Sequence, residues 1–420
     1  MKKTILLLFI IFGFATFAQT IVITDINVIP ISTNTLLQHQ DVHIKNGIIE
    51  KILPHEITSS EIKNAKVING DGKYLIPGLA DMHVHLPDGN EPITKEQAYT
   101  YYLQNGVTVL RSMRGELSHP KHRDSIQKGL IKAPKLYISY SLPDNDNALT
   151  QNDINEFIKL IKTNHFDFVK YMSGISDAKM IEVSTELKDN RVIFAGHAYK
   201  DVKTSVKLGF RSIEHISPLV NSYLSDSTSF DKLLGEMKSD NVSYCPTESF
   251  SKIVGFQFTI DENMNRNGMK IIDTALANKW KRDYVNYLSR LNKAGPSYYG
   301  KQARASKNEI DIFNYLLRRM LKAGVNVLLG PDNCFFNVPG YSMVEEMKLY
   351  KEAGISNYDV LKISTSNAAS FFNETEKWGT ITKGKEASLV VLDKNPLENI
   401  ENIKSVSATL VKGKILFEKK

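Results

Sequence analysis

Residues 76–85 read Ile76-Pro77-Gly78-Leu79-Ala80-Asp81-Met82-His83-Val84-His85. A Pro-Gly pair interrupts the chain, and the apolar run after it has the length of a buried strand. Side chains on a strand alternate with a period of two, so His83 and His85 leave the same face and two imidazole nitrogens can meet one metal ion. Alone the pair is weak evidence, because histidines at i and i+2 also occur on exposed strands. Its weight depends on what the rest of the chain builds around it.

Seven further strand candidates follow, at 107–113, 136–141, 166–172, 192–198, 212–216, 242–247 and 325–332. With 79–85 they number eight, which closes a barrel. Amphipathic segments separate most of them, for example 153–162, with apolar Ile154, Phe157, Ile158 and Ile161, and 177–187, with Met180, Ile181 and Leu187. Strands alternating with helices imply parallel units, so the fold class is read as α/β, a (β/α)8 TIM barrel over 77–377. The connection between 247 and 325 is far longer than an ordinary loop. Within it 271–291 and 305–321 read as helices, and 250–300 reads as an insertion, either a lid over the barrel mouth or a peripheral decoration.

The chain ends read differently. Short strands are expected at 21–29 and across 40–52 around Lys45-Asn46-Gly47, then at 388–392, 406–411 and 415–417, the last two joined by Lys412-Gly413-Lys414. Neither end has enough strands to bury a core, so 19–76 and 378–420 are expected to combine into one small composite β-sandwich domain. Residues 1–18 carry Lys2, Lys3, an apolar run over 5–14 and Ala15-Thr16-Phe17-Ala18, the pattern of a signal peptide cleaved after Ala18. The run is shorter than the ~20 residues of a spanning helix. The expectation is a periplasmic or secreted protein with no stable membrane insertion after cleavage.

Without Lys2 and Lys3 the formal charge of +7 becomes about +5, too dilute over this length to argue for nucleic acid. Two cysteines, Cys245 and Cys334, cannot make a disulfide framework, and separate burial is favoured over a mutual bridge.

Working residues in such a barrel come from the carboxyl ends of different strands. Metal-ligating types fall there: His83 and His85, Lys170, His197, His215 and Asp332. Singly, a histidine is more often a core residue and Asp332 could cap the next segment. Six together carry the argument. After the second strand, Arg114, His119 and His122 are candidate substrate contacts, as is Tyr171 beside Lys170.

The stretch from Pro77 to His85, followed in order by Gly196-His197-Ala198, Ser212-Ile213-Glu214-His215 and Gly330-Pro331-Asp332, resembles the amidohydrolase superfamily. Phe168-Val169-Lys170-Tyr171-Met172-Ser173-Gly174 is similar to the lysine segment of its dipeptidase and prolidase branch, to which imidazolonepropionase is related. The tail, with Ser364-Thr365-Ser366-Asn367-Ala368-Ala369 and Gly379-Thr380-Ile381-Thr382-Lys383-Gly384, fits as well. Departures are Arg111-Ser112-Met113-Arg114-Gly115, where that branch has an aspartate and glycines, Ala387-Ser388-Leu389 in place of Ala-Asp-Leu, and 250–300, which aligns with nothing.

The resemblance implies two divalent metal ions, with zinc leading and Mn²⁺, Fe²⁺ or Co²⁺ compatible. His83, His85 and Asp332 would hold one, and His197 and His215 the other. Lys170, carboxylated to a carbamate, would bridge them, since an ammonium cannot ligate a cation and a carbamate offers two oxygens. A metal-bridged hydroxide would attack the substrate carbonyl, with Asp332 as the catalytic proton carrier. The implied function is an exported metal-dependent amidohydrolase cleaving a C–N bond of a small molecule or short peptide, dipeptidase-like or Xaa-Pro dipeptidase-like, and open to oligomerisation. The alternative is a mononuclear cyclic-amide hydrolase similar to imidazolonepropionase, with Lys170 unmodified. A catalytically inactive binding protein would require a broken ligand set, and none is broken.

Overall fold

The structure is a computed structural model that describes residues 20–56, 62–292 and 296–419, so the expected signal segment lies outside the described residues. The first strands are β1 (Thr20–Val28), β2 (Leu37–Lys45), β3 (Ile48–Pro54), β4 (Lys66–Asn69) and β5 (Tyr74–Pro77). Then come β6 (Leu79–Val84), β7 (Val107–Ser112), β8 (Lys135–Ser141), β9 (Phe168–Tyr171), β10 (Ile193–Gly196), β11 (Ser212–Glu214) and β12 (Ser243–Cys245). The chain closes with β13 (Leu389–Leu392), β14 (Val406–Val411) and β15 (Lys414–Glu418).

Strands from both chain ends form one sheet in the order β15-β14-β13-β5-β1-β2-β3, with β4 branching from β1. The join is β5 against β13, antiparallel, with Ile76 opposite Val390 and Leu75 opposite Val391. Ile21, Ile23, Val42, Ile49, Leu389, Val391 and Leu410 pack into the sheet's own core. The expected sandwich is therefore built from a single continuous sheet. Only Gly78 separates β5 from β6, so this sheet hands the chain directly to the barrel.

β6 to β12 lie side by side in sequence order, all parallel. Alternation sorts their side chains. Leu110, Ile138, Val169, Phe194, Ile213 and Tyr244 join the large core under the helices, whereas Val109, Tyr137, Phe168, Ala195 and Cys245 join smaller clusters within the barrel. The eighth position is not a regular strand. Tyr244 N–H donates to Asn326 O at 2.9 Å and Leu328 N–H to Tyr244 O at 2.8 Å on one side, and Met82 N–H donates to Leu329 O at 2.9 Å on the other. The ladder stops there because Pro331 has no N–H and Asp332 turns to φ 57°.

The connection after β12 contains the helix Glu248–Val254 and then, within the region read as an insertion, helices Ile260–Met264 and Thr274–Asn292, and a longer helix, Pro296–Ala323, leads into the eighth position. Among the described residues no helix is long and apolar enough to cross a membrane.

Closure leaves no room at Gly330, where an added Cβ would stand 2.5 Å from His83 N and 2.8 Å from His83 Cβ. Gly330→Ala must push two backbones apart. The expected result is a loss of about 1–3 kcal/mol in denaturant unfolding, the usual range for overpacking, and unchanged stability would show that the closing segment is loosely held.

Candidate metal centre

At the carboxyl ends of these strands His83, His85, His215 and Asp332 converge. The rings of His83 and His85 stack 5.5 Å apart at 12°, as the shared strand face requires. His83 and His215 rings lie 5.2 Å apart, and His215 and His197 rings 4.9 Å. Asp332 faces both strand histidines, Oδ2 at 3.7 Å from His83 Nε2 and Oδ1 at 3.5 Å from His85 Nε2.

Three of the four imidazoles are anchored through Nδ1, which leaves Nε2 as the free donor atom. His83 Nδ1 pairs with Glu214 Oε2 at 2.8 Å, His215 Nδ1 with Thr247 Oγ1 at 2.7 Å, and His197 Nδ1 with Met172 O at 2.9 Å. His85 is fixed through its backbone by Asn333, which accepts from His85 N–H at 2.6 Å and donates to His85 O at 2.9 Å. Burial lowers the pKa of all four, His197 to about 4, so they are neutral imidazoles near pH 7, the form that binds metal.

Local backbone sets these positions. His215 and Asp332 both have left-handed φ, 72° and 57°, and Thr247 has 51°. Such angles in non-glycine residues persist only where the surroundings enforce them. Asn337 supplies part of that enforcement, donating to Pro331 O at 2.6 Å and Asp332 O at 3.1 Å. Gly196, at φ 141°, brings His197 close over β9; a Cβ there would meet Tyr171 O at 2.2 Å.

Lys170 lies among these groups. It is 1% exposed, and its amine has no hydrogen-bond partner. Its charge acts on His83, His85, His197, His215 and Asp332 alike. Burial lowers the amine from 10.5 to about 8.

The second-strand candidates separate. Arg114 lies two residues beyond the carboxyl end of β7 and is exposed, and its charge reaches His85. His119 and His122 do not join the site. Pro120 opens a helix (His119–Gln127) that buries His119 and sets His122 against Tyr99, ring centroids 5.6 Å apart. Tyr171 is also a correction. It neighbours Lys170 in sequence and therefore faces the other way, packed against Phe194, Tyr199 and Phe210. The two cysteines are free, as read.

Beneath the histidines lies a network the sequence did not reveal. Arg111, fully buried, reaches across the barrel and donates from Nη2 to both oxygens of Glu214 at 2.9 Å, from Nη1 to Ser212 Oγ at 2.7 Å and from Nε to Met82 O at 2.5 Å. The available signal was an arginine within the otherwise apolar, uncharged run Val107-Thr108-Val109-Leu110-Arg111-Ser112, which demands a buried counter-charge.

The sequence profile of the amidohydrolase family matches residues 74–416. The chain belongs to this family. Amidohydrolases of this kind are hydrolases acting on carbon–nitrogen bonds and generally bind divalent metals, and this one groups His83, His215 and Asp332 with donor atoms within 4.8 Å of one another. An imidazolonepropionase of Treponema denticola is 22% identical over 402 residues, covering 90% of this amidohydrolase and 91% of that enzyme. In fold the chain is similar to a Xaa-Pro dipeptidase with bound methionine in the active site, at TM-score 0.71 and 19% identity over 96% of this chain and 100% of that one. It is also similar to the ochratoxinase of A. niger, at TM-score 0.70 and 17% identity over 96% of each.

Two outcomes test the site's electrostatics. Glu214→Ala leaves the Arg111 guanidinium buried without a counter-charge and should cost ~3–5 kcal/mol in denaturant unfolding; a cost below 1 kcal/mol would mean that the pair is not buried. Glu248, buried directly after β12, has its pKa raised from 4.5 to about 8 by burial and then by the charge of Glu346. A carboxyl with a raised folded pKa stabilises the fold at low pH and loses that contribution as pH rises through the folded value. Glu248→Gln should therefore gain stability relative to wild type between about pH 4.5 and pH 8, read as a growing difference in denaturation midpoint, and a flat difference would count against the buried acid.

Proposed function

We propose that this amidohydrolase is an exported two-metal enzyme that hydrolyses the amide bond of a short peptide or N-acyl amino acid. The observation that carries the reading is the Lys170 amine, buried and unpartnered amid four neutral imidazoles and a carboxylate. A protonated amine there would face no counter-ion in hydrogen-bond contact and would repel any cation. As a carbamate the same side chain is an anion with two oxygen donors, which fits the space between two cations. A pKa near 8 leaves an appreciable share of the amine unprotonated at neutral pH, the form that reacts with carbon dioxide.

In this reading His83, His85 and Asp332 would hold one ion and His197 and His215 the second, with carboxylated Lys170 as a shared ligand. Bound divalent metals supply an acidified water and polarisation of the scissile carbonyl. Asp332 would take up the nucleophilic water's proton and pass it to the leaving amine; burial raises its pKa, which suits it to hold a proton in transit. Arg114, exposed two residues beyond β7, would meet a substrate carboxylate through a bidentate pair. Export rests on the signal pattern of residues 1–18.

The second reading, a mononuclear cyclic-amide hydrolase, is favoured by the full-length similarity to imidazolonepropionase. Metal content separates the two. Protein purified with bicarbonate should hold two metals per chain and hydrolyse members of a dipeptide and N-acyl amino acid panel. Lys170→Ala should lose metal and activity together, while Asp332→Asn should keep most metal and lose turnover by ~10²–10⁴-fold. One metal per chain, retained in Lys170→Ala, together with activity confined to lactams, would decide for the mononuclear enzyme.

A further inference from the structure

The loop after Asp332 carries a donor that this ligand set leaves unused. Cys334 Sγ lies 3.2 Å from Asp332 Oδ1, and the sulfur, a carboxylate oxygen of Asp332 and a ring nitrogen of His85 all lie within 4.8 Å of one another. The thiol is free and half-buried. Its place is built rather than incidental. Cys334 N–H donates to Asp332 O at 2.7 Å, which folds the thiol back over the carboxylate. Asn333, between the two, is bound to the His85 backbone on both sides. The buried, unpartnered Lys170 amine lies within electrostatic reach of both His85 and Asp332.

Bond lengths make the arrangement specific. An ion at the usual ~2.0 Å from a carboxylate oxygen and ~2.3 Å from a thiolate sulfur spans a 3.2 Å oxygen–sulfur gap at roughly 95–100°. That angle lies between octahedral and tetrahedral values, so both donors can bind one ion with little movement.

We propose that Cys334 is a thiolate ligand at the metal position of His85 and Asp332, and that it biases this position toward Zn²⁺ over Mn²⁺. Coordination breaks the S–H bond, forms a sulfur–metal bond and releases the proton to water, with no change of oxidation state. Thiolate is a soft donor that suits zinc, whereas carboxylate and water alone suit manganese, so one sulfur shifts the preference of an otherwise nitrogen and oxygen site. The proposal rests on the two-metal reading, and the test separates the two.

Metal-free full-length protein is titrated with Co²⁺ as wild type, Cys334→Ser and Cys245→Ser. In the expected result all three develop the visible bands of bound cobalt, and wild type and Cys245→Ser alone show an intense near-ultraviolet sulfur-to-cobalt band. Competition with a zinc chelator should show Cys334→Ser losing at least ~10-fold in zinc affinity, because even partners outside the ligand set cost 10–100-fold, with a smaller change for Mn²⁺. Visible bands in all three without a sulfur band overturn the thiolate proposal and leave the two-metal reading standing. A sulfur band lost only in Cys245→Ser assigns the ligand to Cys245 and overturns it likewise. No cobalt uptake by wild type overturns both.

Discussion

The buried pair of Arg111 and Glu214 is the constraint on which the site depends. Two opposite charges with no access to water hold together only if their remaining hydrogen-bonding capacity is met inside the protein. Arg111 meets it through Ser212 and Met82 O, and Glu214 through His83. The guanidinium also lies over the Phe371 ring at 4.8 Å, on the helix Ser366–Phe371. One ion pair thus ties β6, β7 and β11 together across the interior and fixes the ring orientation of the first histidine. The mouth of the barrel is arranged on a floor that cannot shift without exposing a charge.

What the sequence made legible follows from how local each signal is. Seven strands and most of their helices were readable because alternation and helical periodicity are properties of neighbouring residues. The eighth was read as a strand through 332, but Pro331 and the turn at Asp332 end its ladder early. The ligand candidates were legible because they lie at strand ends in a recognisable order. Their anchors were not, since Glu214, Thr247 and the Met172 carbonyl reach their histidines from other strands or loops, and nothing in a linear reading pairs them. Tyr171 could have been excluded from alternation alone. His119 needed the further step of seeing Pro120 as the first turn of a helix.

The helices between β12 and the eighth position bear directly on the loop after Asp332. Arg266 donates to Ser249 Oγ at 2.6 Å and Asn337 Oδ1 at 2.9 Å, and Asn337 in turn holds the Asp332 carbonyl. Phe250 stacks on Phe335, 6.4 Å apart, and lies 6.3 Å from the His215 ring. Residues of this region therefore steady Asp332, and the helices and the loop form one packed unit.

The composite sheet has a consequence for time as well as shape. β5 and β13 are neighbours in space but more than three hundred residues apart in the chain, and β1 to β5 make up the first part of the described sequence. As the polypeptide emerges from its ribosome, β5 can pair with β1 along one edge, but its other edge has no partner until residues 389–392 have been made. Pairings that remote form late, because the entropy of closing so long a loop must be met before any contact rewards it. The chain therefore stays incompletely folded throughout its own synthesis, with one edge of its first sheet open until the last segment arrives to cover it.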